Sequence, residues 1–555
     1  MRESIIIKLL FSLLFAVMMA LDRMIVHADP EIEIYTDITQ NYIGPVSAIA
    51  VVVFICSFVG MLFLLTFLQR LLLKSDAGDP GADAANDRTD LRLLLLFTLI
   101  LGACWSPYLL ANIPGGVWFD NYHIYDTLWG RAPLENHQPI LYTLLHAFVF
   151  QIVLVLLDKS MQVFVMTMTM IQYTVFAVGL AWFLCWLKRR QVSKVFFLVV
   201  LLFFCLFPLV PGYAISNWKD TLFSVFLLLF TVAIADAAVD GAIRFSDTKW
   251  LARFLVFGFL VCFFRNNGIF IILACAVFLV FRFRKEIFTR LRSKFTIALI
   301  VLIAVTLVIQ VPVFNKIGFN NDRSMEMAGI PIQQISSIIL TGGDVHEDEL
   351  AFFDQIASPE IREAAFSPNG VSSMKRYIDE NSIDFLRDNT GEFLRIWANI
   401  VARNPKQAID AYLLTTLGFW NANRGSSHGY MQTTPVPGNE YHGITKRDLV
   451  LELTGFDLRS FLEPRYYFSS ALFGWIALFC FVLVCIRKKY TLLLPFIPIL
   501  ALWGTVLIAA PLAYSLRYVY ALVIFLPLAF YLAFGRFPAA PAEELSEQPD
   551  QLHPV

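Results

Sequence analysis

Residues 161–190 read MQVFVMTMTMIQYTVFAVGLAWFLCWLKRR. The first 27 of them hold no acidic or basic side chain, and three cations follow at once. As a helix rising 1.5 Å per residue, such a run outreaches the ~30 Å hydrocarbon layer of a bilayer. Lys188, Arg189 and Arg190, with Lys194 just beyond, mark its end as cytoplasmic, because short loops on that side collect Lys and Arg. The stretch therefore predicts one crossing and its direction.

The rest of the membrane topology is read outward from it. Basic clusters at Arg70/Lys74, Arg282 to Lys294 and Arg487-Lys488-Lys489 are also placed in the cytoplasm, and residues 27–42, without Lys or Arg, outside. Residues 75–90 (SDAGDPGADAANDRTD) read as a polar cytoplasmic linker, so 93–111 crosses outward and 112–137 lies outside. The run 161–187 crosses back, which leaves no full crossing for the apolar run 138–157. That run is expected to dip into the membrane or lie on its outer surface. Likewise 250–264 and 268–281 should form a short hairpin with Arg265-Asn266-Asn267-Gly268 at its outer tip.

Further apolar runs start near Ile5, Ile43, Val195, Thr221, Phe295, Tyr466, Leu492 and Tyr518. They are continuous rather than alternating, which suits helices and not a barrel. The first, 5–21, reads as a spanning helix, with a cleaved signal peptide (Ala20, Ala28) as the alternative. The expected fold is mainly α: a polytopic membrane protein of about 12 transmembrane helices (11–13). Residues 1–69 carry the N-terminal helices and 70–92 the linker. Residues 93–314 form a transmembrane core with outer loop 112–137. An extracytoplasmic, mostly helical domain follows at 315–465, then C-terminal helices at 466–536 and a cytoplasmic tail at 537–555. The 315–465 stretch holds 14 Lys and Arg against 20 Asp and Glu, lacks Cys, and shows helical apolar spacing at Ile383, Leu386, Phe393 and Ile396. No internal repeat is evident.

Composition agrees. Of 555 residues, 58% are hydrophobic, 15% aromatic and 16% charged, with net charge −1, and mean hydropathy is +0.65. Soluble domains hold about 45–50% apolar and about 25% charged residues, so a single soluble globule is excluded. A nucleic-acid partner is excluded by the missing positive field. The eight Cys lie in apolar runs without a CxxC pair and read as small core residues.

The unusual polar residues gather on the outer face. A single interfacial Lys or Arg is ordinarily an anchor. Three cations from three helix ends, Lys219, Arg265 and Arg517, instead suit a lipid phosphate or pyrophosphate. The outer segment 115–148 reads GGVWFDNYHIYDTLWGRAPLENHQPILYTLLHAF. Asp120 closely follows an apolar span. Tyr122, His123 and Asp126 come next, and an aromatic segment through Leu128 and Trp129 reads as a helix on the outer leaflet. Asn136-His137-Gln138-Pro139 opens the next apolar run, with Pro in a helical first turn.

That order resembles the GT-C superfamily of membrane glycosyltransferases, in which an outer acidic residue precedes surface helices and a His-Pro-Pro-Leu-Tyr-like helix start. Here the start reads His137-Gln138-Pro139-Ile140-Leu141-Tyr142, with Gln138 in place of the first Pro. The segments NWKDTLF (217–223), RNNGIF (265–270) and LRYVYAL (516–522) resemble an uncharacterised bacterial branch of the superfamily, and the likeness spans roughly 93–535. The resemblance implies a multi-pass protein of the bacterial plasma membrane with a GT-C-like core and its active site on the extracytoplasmic side. A polyprenyl-phosphate-linked sugar would be the donor and a cell-envelope glycan, lipid or protein the acceptor. Asp120 would be the general base, with Asp126 in reserve, and transfer would invert the anomeric carbon. Arg265, Arg517 and then Lys219 would hold phosphate, with His137, Asn266 and Tyr122 as further substrate contacts. Asp220 is expected simply to pair with Lys219. Trp420, Asn423, Arg424 and His428 are candidate acceptor contacts, read from an aromatic and amide-rich cluster. No cofactor is firmly implied, and a divalent cation on Asp120 and His123 is the weaker alternative. The competing readings are a lipid-linked polysaccharide polymerase or ligase and, ranked last for want of mid-span charges and matching halves, a flippase or transporter.

Overall fold

The computed structural model describes residues 2–25, 43–75, 90–133, 138–289, 294–316, 324–423, 439–458, 460, 468–509 and 515–537. Among them the chain is mainly helical, with three isolated β-bridges and no strand. Seven helices are long and apolar enough to cross a membrane, or up to eight if the bent pair Lys194–Leu206 and Leu209–Ile215 is one span. Sequence runs predicted about twelve. The difference lies in helices the chain cuts short. Ile140–Leu156 has 17 residues including a terminal π-turn, about 25 Å at 1.5 Å per residue, and so falls short of a hydrocarbon layer of ~30 Å. Ser470–Ile486 has 17 residues and Lys294–Val308 has 15.

The axis of the bundle is the helix Lys219–Asp240. It has no polar stripe: nearly every side chain from Asp220 to Ala238 is buried, which is the pattern of a helix enclosed by others. Met161–Arg189, Thr248–Phe264, Ala521–Phe534 and the turn Tyr490–Phe496 pack around it. Close approach needs small residues. A Cβ on Gly179 would stand 2.3 Å from Val225 Cγ2, so only glycine lets the Met161 helix seat at this depth. Leu91–Leu110 packs on the outside of Met161–Arg189.

The run 250–281 is a helical hairpin, Thr248–Phe264 and Gly268–Arg282, with Arg265–Asn267 as its tip. At the N-terminus, Arg2–Asp22 pairs with Ala48–Ser75 and rests on Ser470–Ile486. Lys8 fits inside that apolar pair because its ammonium donates to Thr66 Oγ1 at 3.2 Å and Gln69 Oε1 at 3.0 Å.

Within 315–465, a separate core runs from Ala328 to Ala408 and is lined by Ile332, Ile335, Phe353, Phe393 and Ile400. The expected amphipathic stretch is two helices, Glu380–Asp388 and Thr390–Arg403, with Leu386, Phe393 and Ile396 buried. Phe419 and Ile444 belong instead to the core of the long helices, and Trp420 packs against it. Of the eight thiols, Cys185, Cys205, Cys262, Cys275 and Cys480 are buried, Cys104 and Cys485 half-buried and Cys56 exposed, and all are unpaired by disulfides.

Candidate functional site

Two short extended stretches position the site. Gly116 and Ser216 form a parallel bridge: Gly116 N–H donates to Ile215 O at 2.9 Å and Asn217 N–H to Gly116 O at 2.8 Å. The approach is tight. Gly115 lies at φ +123°, where a side chain is strained, and a Cβ there would meet Thr169 Oγ1 at 2.1 Å. Two residues on, the rings of Trp118 and Trp218 lie 4.3 Å apart. Both chains then turn into helices, Phe119–Leu128 and Lys219–Asp240, each with a carboxylate in its first turn, Asp120 and Asp220. The first start is braced by Asn121, whose Oδ1 accepts from Trp118 N–H at 3.0 Å. Paired register at 116 and 216 thus delivers Trp and Asp side by side from segments a hundred residues apart.

Three cations meet those carboxylates. Arg517, on the turn Leu516–Val519, donates through Nη2 to Asp120 Oδ2 and through Nε to Asp220 Oδ2, the latter at 3.2 Å. Arg265, from the hairpin tip, stands 3.5 Å from Asp220 Oδ1 and donates to Tyr518 O at 2.5 Å. Lys219 Nζ lies 3.9 Å from Asp120 Oδ2 and donates to Gln138 Oε1 at 2.7 Å. Aromatic faces line the guanidinium groups: Arg517 sits 5.6 Å from the Trp218 ring, and Arg265 5.3 Å from that of Phe223.

Asp120, Lys219, Arg265 and Arg517, all singled out in the sequence, therefore converge. Formal charge in the cluster is three positive against two negative, an excess that favours an anion. The two carboxylates differ in access. Asp220 is 1% exposed, Asp120 25%. A charge as buried as Asp220 costs several kcal/mol unless paired, and its two arginines supply that pairing. Asp120 is the carboxylate a ligand can reach.

Asp220 was expected to pair with Lys219. It instead bridges Arg265 and Arg517, and this organising role is what sequence reasoning missed. The available signal was the matching Trp118-x-Asp120 and Trp218-x-Asp220, each opening a helix.

Other expected residues fall elsewhere. Tyr122 turns to the far side of its helix: its hydroxyl donates to Asn439 Oδ1 at 2.6 Å, and its ring stacks on His442 at 4.8 Å. Burial raises its phenol to about 12. The same desolvation lowers His442 from its ordinary range, against the raising effect of Asp126. Residues 439–447 thereby strap the Asp120 helix, also through the antiparallel bridge of Arg447 with Ile113 and the pairing of Gln162 with Thr445. Asp126 lies 3.8 Å from Arg131, at the opposite end of the helix from Asp120. Asn266 is on the hairpin tip beside Arg265. Trp420 donates its indole N–H to Leu413 O within its own segment, and Asn423 donates to Asp22 at 3.2 Å, which fastens it to the N-terminal helix. His137, Arg424 and His428 lie outside the described residues. Among the described residues no three His, Cys, Asp or Glu side chains gather as a metal site requires.

No curated protein and no solved structure matches the chain. A family model described as "Family of unknown function (DUF6020)" matches residues 115–548, which take in every member of the ion cluster. Since that match covers well over half of its length, the chain belongs to the DUF6020 family.

Proposed function

We propose that the chain is a GT-C-like membrane glycosyltransferase that moves a sugar from a polyprenyl-phosphate donor to a cell-envelope glycan, lipid or protein. In this reading the long helices and the shorter apolar ones make up a bundle of about twelve passes in the bacterial plasma membrane, with the cluster on the extracytoplasmic side. The observation that carries it is the meeting of one accessible carboxylate, Asp120, with Lys219, Arg265 and Arg517 at the ends of otherwise apolar helices.

The chemistry follows from charge. The acceptor oxygen attacks the anomeric carbon while its proton passes to Asp120. The bond from that carbon to the phosphate oxygen breaks, and its electrons leave on the polyprenyl phosphate. Lys219, Arg265 and Arg517 stabilise the negative charge that grows there. A single displacement without a covalent intermediate inverts the configuration. Gln138 stands at a position where the superfamily has Pro, and its amide holds Lys219, which keeps an ammonium beside Asp120.

The test is transfer in proteoliposomes containing a radiolabelled polyprenyl-phosphate sugar and envelope acceptors. Asp120→Asn should cut the rate by about a hundredfold or more, the range for losing a general base, with an unchanged elution profile. Unimpaired transfer in that variant overturns the assignment. Movement of the intact lipid-sugar across the bilayer without transfer would instead favour a flippase.

A further inference from the structure

Arg517 is committed twice. It holds Asp220, which is enclosed, and Asp120, which is not. A donor phosphate reaching the cations meets Asp120 already seated on Arg517 and within 3.9 Å of Lys219. An incoming phosphate and Asp120 thus contend for the same guanidinium.

Next to the cations stand two N–H groups that nothing occupies. Gln138 is 2% exposed; its Oε1 is engaged by Lys219, while its Nε2 has no hydrogen-bond partner. Trp218 is 1% exposed, lies under Arg517, and its Nε1 has no partner either. Buried donors are almost always satisfied in folded proteins, and an unfilled pair beside an excess of positive charge is where an anion's oxygens would be accepted.

We propose that Asp120 is a built-in stand-in for the ligand: a phosphate ester group displaces its carboxylate from Arg517 and Lys219, takes hydrogen bonds from Gln138 Nε2 and Trp218 Nε1, and so releases Asp120 to act as base. Asp220 stays in place throughout and keeps Arg265 and Arg517 together. This rests on the transferase reading and adds an order to it, the donor binding before the base is competent. An enzyme built so does not activate an acceptor or water until the leaving group is held.

The competition is measured as binding, without any transfer assay. Purified full-length protein in nanodiscs is titrated with polyprenyl phosphate and, separately, with inorganic phosphate. Asp120→Asn removes the competitor and should tighten polyprenyl phosphate binding by about tenfold, the scale of one charge-assisted hydrogen bond. Gln138→Leu keeps every charge and should weaken it by about as much. Binding of inorganic phosphate with the same ranking of variants assigns recognition to the phosphate group; a ranking seen only with the lipid assigns it to the phosphate of a membrane-held headgroup. Equal or weaker binding by Asp120→Asn overturns the displacement. If that variant does not fold, undiminished binding by Gln138→Leu overturns it. Should the wild type bind neither probe, the transferase reading falls with it, whereas binding without the expected ranking removes the displacement alone.

Discussion

Asp120 and Asp220 occupy equivalent places, each two residues past a tryptophan of a closely packed pair, yet differ in what surrounds them. Asp220 is enclosed between Arg265 and Arg517. Asp220→Asn leaves two buried guanidinium groups without their shared counter-charge, a change that typically costs about 3–5 kcal/mol. Asp120→Asn removes a more accessible partner and should cost under about 1 kcal/mol. Thermal unfolding in detergent should separate the two variants clearly, and equal shifts would deny Asp220 its organising role. A third residue sets a pH limit. His442 is buried against Tyr122 and titrates below the ordinary value of about 6.5. The folded state then binds fewer protons than the unfolded one, so stability is complete above that pH and declines as the medium becomes more acidic. Hydrogen-exchange protection across 439–447, taken relative to the intrinsic rate at each pH, should fall on going from pH 7.5 to 5.5, and His442→Phe should remove most of that change. An identical acid response in the variant would trace the effect to another group.

The hairpin Thr248–Phe264 and Gly268–Arg282 shows how an element delivers a single charge. Its tip is fixed by Asn267, whose Nδ2 donates to Thr505 Oγ1 at 2.8 Å, and by the absence of a side chain at Gly268. A Cβ there would lie 2.1 Å from Val261 O and 2.7 Å from Val261 C, and backbone cannot move aside cheaply. Gly268→Ala should destabilise the fold by about 1–3 kcal/mol, as overpacking does. It should also displace Arg265 and so lower polyprenyl phosphate affinity, read by the same nanodisc titration; unchanged affinity would show that the tip tolerates opening. This hairpin was legible in the sequence, since three polar residues and a glycine interrupting an apolar run are unfavourable in hydrocarbon except at a turn. The cations were legible for a similar reason: a charge at the end of an apolar helix is conspicuous. What pairs with Asp220 was not, because that depends on helix rotation and on the bridge of Gly116 with Ser216, which hydropathy does not encode. Tyr122 misled for the same cause. It follows Asp120 by two residues, about 200° around a helix, and so faces the strap instead of the cations.

The central helix Lys219–Asp240 ties the scales together, because a second ion network sits at its other end. Arg190 grips Asp236 and Asp240, and Arg244 donates to Asp240 Oδ2 at 2.8 Å. Every charge of this network has an internal partner, and Trp186 adds an indole donor to Asp236 at 2.8 Å. It locks the helix where the Asp120 end is left accessible. From Asp220, Asp236 lies 16 positions and Asp240 20 positions along this helix, about 24–30 Å at 1.5 Å per residue, close to the ~30 Å thickness of a hydrocarbon layer. The proposed orientation thus assigns the two clusters to opposite faces of the membrane. Phe119 beside Asp120 is 64% exposed and Ile243 beside Arg244 is 76% exposed, so the protein itself covers neither. In a Cys56→Ser background, Phe119→Cys should react with an impermeant maleimide on intact cells. Ile243→Cys should react only after permeabilisation. The converse pattern would put Asp120 on the cytoplasmic side, where an envelope acceptor is absent, and labelling of both from one side would mean that the central helix does not span. Either result refutes the transferase reading through the position of its base alone, before any substrate is known.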